Sequence, residues 1–183
     1  MAALRKASSY SKKRVRPFTR KSRTAQKSYI KTVPGIKIAK FQMGNIKAGL
    51  EMKYPYVVRL VTEEKVQVRD NALEACRMFI SKILDRDALG QYYFAVKVYP
   101  HHILRENKTA AGAGADRLSS GMKHSYGISI GRAAIVNAGK EVFYVSCENE
   151  KAARIARDAL TQIKSKMPGK SRVLFEKMEK VSA

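Results

Sequence analysis

The first acidic residue of this 183-residue chain is Glu51, so its opening fifty positions carry fourteen Lys or Arg with no carboxylate to offset them. A block of that kind cannot pack against itself, because every close approach of its side chains adds repulsion that nothing cancels. The folded core must therefore lie downstream. The rest of the chain keeps the bias: 37 Lys and Arg against 15 Asp and Glu leave a formal net charge of +22. Such a charge calls for a polyanionic partner. Nucleic acid is the first choice, since each phosphate neutralised by Lys or Arg releases condensed counterions; an anionic membrane surface is the competitor. No apolar run approaches the roughly 18 residues of a membrane span, and the basic N-terminus has no apolar segment behind it. The sequence thus reads as a chain that is neither secreted nor membrane-spanning. Its two cysteines, Cys76 and Cys147, form no Cys-x-x-Cys pair, which suits reduced thiols, with Cys76 a small core residue.

Lys12, Lys13, Arg14, Arg16, Arg20, Lys21, Arg23 and Lys27 make the N-terminal block an arm, and Tyr10, Phe18 and Tyr29 are interleaved with them. Charges alone would read as a solubilising tail. The aromatic rings add faces that can stack on unpaired bases, which favours an arm that orders on RNA phosphates.

Three parts are expected: a basic extension over 1–28, a single α+β domain over 29–176, and a short tail over 177–183. Within the domain, "IKIAKF" and "YVVRLVTEE" alternate as strands. In "VRDNALEACRMFISKILDRDALG" the period changes, with Leu73, Cys76, Ile80, Ile83 and Leu84 on one face, Asp70 or Asn71 as cap and Gly90 beyond the end. "YYFAVKVYP" returns to a strand, and "YGISIGRAAIVNAGKEVFYVSC" gives two more around the turn "NAGK". "ENEKAARIARDALTQIKSKM" is a second amphipathic helix, stopped by Pro168 and Gly169, and "SRVLFEK" is a possible edge strand. Two amphipathic helices on a largely antiparallel or mixed sheet make a two-layer α/β sandwich.

One stretch, residues 99–127, is long and small-residued between two basic clusters. It could be a phosphate cradle, a metal site, a catalytic lid or a finger that orders against a partner. "AGAGAD" lacks the third glycine of a dinucleotide loop and is not followed by GK[ST], so no nucleotide cofactor is implied. His101 and His102 are neighbours on an extended chain and point to opposite sides, which argues against a metal. No nucleophile, base and orienter recur together, so the chain does not read as an enzyme. A finger remains: basic stalks at Arg105, Asn107, Lys108 and at Arg117, Lys123, His124, around a tip too small to pack and expected to be mobile over 105–122.

The stretches "YIKTVPGIKI", "FQMGN", "NALEACR", "VKVYPHHILRENK", "AGADRL" and "MPGKSRV" resemble the family of large-subunit ribosomal proteins called L-sixteen in bacteria and L-ten-e in archaea and eukaryotes. The likeness runs from about Ser28 to Val173, and "YPHHILRENK" is similar to the archaeal form. It implies a structural ribosomal protein of α/β-hammerhead type, cytoplasmic within the ribosome and without cofactor or metal. It further implies binding to large-subunit rRNA near the aminoacyl-tRNA site, contacts with neighbouring ribosomal proteins, and entry late in assembly. The loop carrying Arg105, Asn107, Lys108, Asp116 and Arg117 would point to the peptidyl transferase centre and to tRNA at the aminoacyl and peptidyl sites. Arg132 would join the arm residues in binding rRNA, although it stands in "GRAAIV" where the family has "GTAARV". A free-standing RNA-binding module or chaperone is the other reading of the charge pattern, and a small nucleic-acid enzyme a third.

Overall fold

Apolar stripes of helical period on two segments find a common sheet to cover, and that meeting organises the molecule. The computed structural model describes residue 30 and residues 32–106 and 127–178. In chain order the elements are β1 (Gln42–Gly44), α1 (Ile46–Leu50), β2 (Tyr56–Thr62), β3 (Val66–Arg69), α2 (Asp70–Asp87), β4 (Tyr92–Val96), β5 (His102–Glu106), β6 (Ile128–Val136), β7 (Glu141–Cys147), α3 (Glu150–Ile163), a 3₁₀ turn (Lys164–Lys166) and β8 (Ser171–Lys177). Among the described residues no helix is long and apolar enough to cross a membrane.

The architecture is α+β, an α/β sandwich built on antiparallel sheets. Rather than one sheet there are two: five strands in the order β1-β4-β7-β2-β8, and three in the order β3-β6-β5. Every pairing is antiparallel. Val58 and Leu60 of β2, Tyr92 and Phe94 of β4, and Phe143, Val145 and Cys147 of β7 share one buried face of the larger sheet. Against it pack Leu73, Cys76, Ile80 and Leu84 of α2 and Ala152, Ala156, Leu160 and Ile163 of α3. Val66, Val68, Ala134 and Val136 bring the smaller sheet into the same core. The small residues of α3 let it lie close to the strands, as its periodicity predicts.

The opposite face of the larger sheet carries a short helix that the sequence pattern did not suggest. α1 lays Ala48 against Tyr93 and Ala95, with Tyr54 and Tyr144 completing a satellite cluster. Gly49 permits this: a Cβ there would lie 2.1 Å from the Tyr93 ring.

The expected strand "IKIAKF" does not form. Residues 33–40 carry no strand pairing, because two of their N–H groups are taken by carboxylates of α2 instead of by a neighbouring strand. The Lys37 amide donates to Asp70 (3.3 Å) and the Ala39 amide to Glu74 (3.2 Å). Glu74 is itself paired with Arg77 at 2.6 Å, and that guanidinium holds the Glu74 carboxyl below its usual range. Asp70, expected as a helix cap, is instead the first residue of α2, at 4% exposure.

Candidate nucleic-acid interface

β5 and β6 are the two sides of an antiparallel hairpin whose last paired residues are Glu106 and Ile128. The connection expected to be a finger therefore starts after Glu106, and Arg105 belongs to a strand. The register slips between Leu104 and Arg105, where Ile130 is the extra residue on β6. A bulge adds twist and re-aims the side chains beyond it. Arg105 stands opposite Ser129 with its side chain exposed. Asn107, Lys108, Asp116 and Arg117 lie outside the described residues, as do Lys12, Lys13, Arg14, Arg16, Arg20, Lys21, Arg23 and Lys27 of the arm.

β6 also receives the chain that follows the arm. The Ser129 hydroxyl donates to the Thr32 carbonyl (2.9 Å), and Arg132 Nε donates to the Pro34 carbonyl (2.6 Å). Thr32 and Pro34 thus lie beside the strand residues that lead into the hairpin connection. Arg132 Nη1 further donates to the Tyr99 hydroxyl at 3.3 Å. Arg132, expected to meet RNA, also ties together three parts of its own chain.

The histidines separate as an extended backbone requires: His101 is exposed and His102 is 4% exposed. Among the described residues no group of three His, Cys, Asp or Glu could hold a metal ion. Cys76 and Cys147 are free and buried, and burial pushes the first thiol up to about 11 and the second up to about 12. Neither is available as a thiolate near neutral pH.

Sequence reasoning missed a ring stack at the same end. Phe41, half-buried against the core, stacks on Tyr99 at 5.6 Å between centroids, and Tyr99 meets His101 at 4.5 Å. The run "VYPHH" was the available signal, for a proline between two flat rings fixes φ at a value that suits a tight turn. That turn is closed by the His101 amide donating to the Tyr99 carbonyl (3.0 Å).

At the far end of β6, exposed Lys65, Lys140 and Lys170, with Arg172 paired to Glu63 (4.0 Å), surround a junction where the Thr62 amide donates to Lys140 O (3.2 Å) and the Glu63 amide to Lys170 O (3.0 Å). Nine residues of β6 at about 3.3 Å each put this basic corner roughly 30 Å from the hairpin opening. At the other end of β7, near the join of Glu148 to Gln91, Asp87 is paired with Arg86 and Glu150 with Arg154.

The sequence profile described as Ribosomal protein L16p/L10e matches residues 15–174. The chain is 40% identical over 163 residues to the large ribosomal subunit protein uL16 of Archaeoglobus fulgidus, covering 88% of this chain and 87% of that protein. It is 43% identical over 165 residues to uL16 of Hyperthermus butylicus, covering 90% and 88%. With uL16 of Pyrobaculum neutrophilum it shares 39% identity over 176 residues, 94% of this chain and 92% of that one.

Proposed function

The chain belongs to the ribosomal protein L16p/L10e family and is a structural, non-enzymatic protein of the large ribosomal subunit; from that premise we propose that it binds large-subunit rRNA near the aminoacyl-tRNA site. In this reading the connection after Glu106 is directed towards the peptidyl transferase centre and the tRNAs. The observation that carries the proposal is the anchoring of Thr32 and Pro34 on Ser129 and Arg132. It brings residues 32–34, which follow the arm in sequence, and the opening of the hairpin connection to one side of the molecule, which supports a reading in which two polycationic segments engage the same RNA neighbourhood.

The division of labour is physical. Arm residues Lys12 to Lys27 neutralise phosphates, and the sandwich fixes where the hairpin points. The corner at Lys65, Lys140 and Lys170 supplies a second set of phosphate contacts about 30 Å away. A-form RNA hides its major groove, so placement depends on backbone shape, 2′-hydroxyls and unpaired bases. Late entry into the subunit follows from this dependence, since the surfaces to be matched must already be folded.

Arg105→Ser tests the finger assignment. The side chain is exposed on a strand at the hairpin opening, so the variant should melt like the wild type while large-subunit maturation or polysome formation falls. Wild-type polysomes together with wild-type melting would contradict it.

A further inference from the structure

We propose that His101 and Tyr99, anchored on Phe41, form a stacking platform for an unpaired nucleobase of the bound RNA. The inference rests on the rRNA-binding reading and adds to it a site that takes the base itself rather than the phosphate.

The three rings run in order from the core to solvent. Phe41 is packed against the core cluster, and its main chain is fixed because the Val96 amide donates to its carbonyl at 2.8 Å. Tyr99 stacks on it with the planes 21° apart. Tyr99 is 41% exposed, and its hydroxyl is held by Arg132. The turn at the buried Pro100 brings His101 against Tyr99, the two rings tilted by 49° with centroids 4.5 Å apart. Among the described residues no other ring meets His101, so the series of rings ends on an exposed imidazole.

An exposed ring stack costs solvation unless something covers it, and it is rigid before anything binds. What covers it must suit its chemistry. The outermost ring is flat and polar-edged, with the Arg132 guanidinium on the hydroxyl of the neighbouring Tyr99 and exposed Lys40 next to Phe41 in sequence. An apolar protein anchor would leave those polar edges unpaired, whereas a nucleobase presents a π face to the imidazole and brings its own phosphate to the cations. The site also lies beside the anchored segment 32–34 and the hairpin, where RNA is expected on independent grounds.

The test compares two probes of equal charge: a 12-nucleotide oligouridine and a 12-unit abasic RNA oligomer, each titrated against the full chain at about 0.15 M salt. Stacking of one base should make the wild type bind oligouridine about fivefold or more tighter than the abasic strand. His101→Ala changes an exposed side chain and should reduce that ratio at least about threefold, with affinity for the abasic strand unchanged. The chain has no Trp, so His101→Trp gives a single indole whose fluorescence should be quenched by oligouridine and not by the abasic strand. Equal binding of both strands by the wild type, or an unchanged ratio in His101→Ala, overturns the platform and leaves phosphate binding intact. Binding of neither strand overturns the RNA-binding reading along with it.

Discussion

Replacing Arg132 separates a residue that holds the protein together from one that only meets phosphates. Its Nε donates to the Pro34 carbonyl at 2.6 Å and its Nη1 to the Tyr99 hydroxyl at 3.3 Å. A hydrogen bond from a charged donor is worth about 1.5–3 kcal/mol when shielded from water. The first bond is partly buried and the second exposed, so the pair should contribute about 2 kcal/mol, nearly all of it from the Pro34 contact. The strapped segment includes Ile38, 5% exposed in the core, so loosening it should reach global stability. For a chain of 183 residues, about 2 kcal/mol lowers Tm by roughly 4–8 °C. The assay is thermal unfolding by far-ultraviolet circular dichroism for the wild type, Arg132→Ala and Arg132→Lys. Arg132→Ala should melt lower by that amount and Arg132→Lys by less, because an ammonium can still donate once to the Pro34 carbonyl but cannot present two donors in the guanidinium's fixed fork. Wild-type melting for both, with rRNA affinity lost in Arg132→Ala and kept in Arg132→Lys, would refute the strap and make Arg132 a plain phosphate contact.

Three further outcomes follow from packing and burial. Gly49→Ala places a Cβ 2.1 Å from the Tyr93 ring, so α1 should be pushed off the sheet at a cost of about 1–3 kcal/mol, seen as a lower urea midpoint with an otherwise native spectrum. Glu74→Gln removes the partner of Arg77 and weakens the acceptor of the Ala39 amide. Since Glu74 titrates below its usual value in the folded chain, its contribution is present above that usual value and lost as pH falls through the lowered one; the acid limb of the stability curve should flatten in the variant. Cys76 and Cys147, with thiols pushed up to about 11 and about 12, should resist alkylation at pH 8 until the chain unfolds. Being raised, they contribute stability below the unfolded thiol value that is lost as pH climbs from about 9 towards 12.

The parts of the fold that were legible are those whose signal is local. α2 and α3 repeat apolar residues at helical spacing over 18 and 14 residues, and the turn between β6 and β7 shows itself as Asn-Ala-Gly-Lys with Gly139 at φ +78°. β3 and β5 were hidden for opposite reasons. Val66–Arg69 is four residues long and runs directly into α2, so it was absorbed into the helix. His102, Ile103 and Leu104 are buried in succession, so β5 lacks the alternation that marks a strand with one wet face. "IKIAKF" alternates, yet residues 36–40 pair with no strand, because Asp70 and Glu74, 33 and 35 residues from Lys37 and Ala39, take two of its amides. Arg132 shows the same limit at the interface: its partners are 98 and 33 residues distant, and no local pattern marks a strap of that reach. The family itself was legible, because "YPHHILRENK" and "AGADRL" form long, specific strings.

The most direct measurement is sedimentation of a native lysate through gradients at low and then about 0.5 M salt, with this chain quantified by mass spectrometry in each fraction. Binding by exposed charges alone weakens steeply as ions compete, whereas a chain held also by shape and by two sets of contacts should stay. The account predicts close to one copy per large subunit at both salt concentrations. Loss to the top of the gradient at the higher salt, or a copy number far below one, would contradict integration into the subunit and leave a factor that only visits RNA.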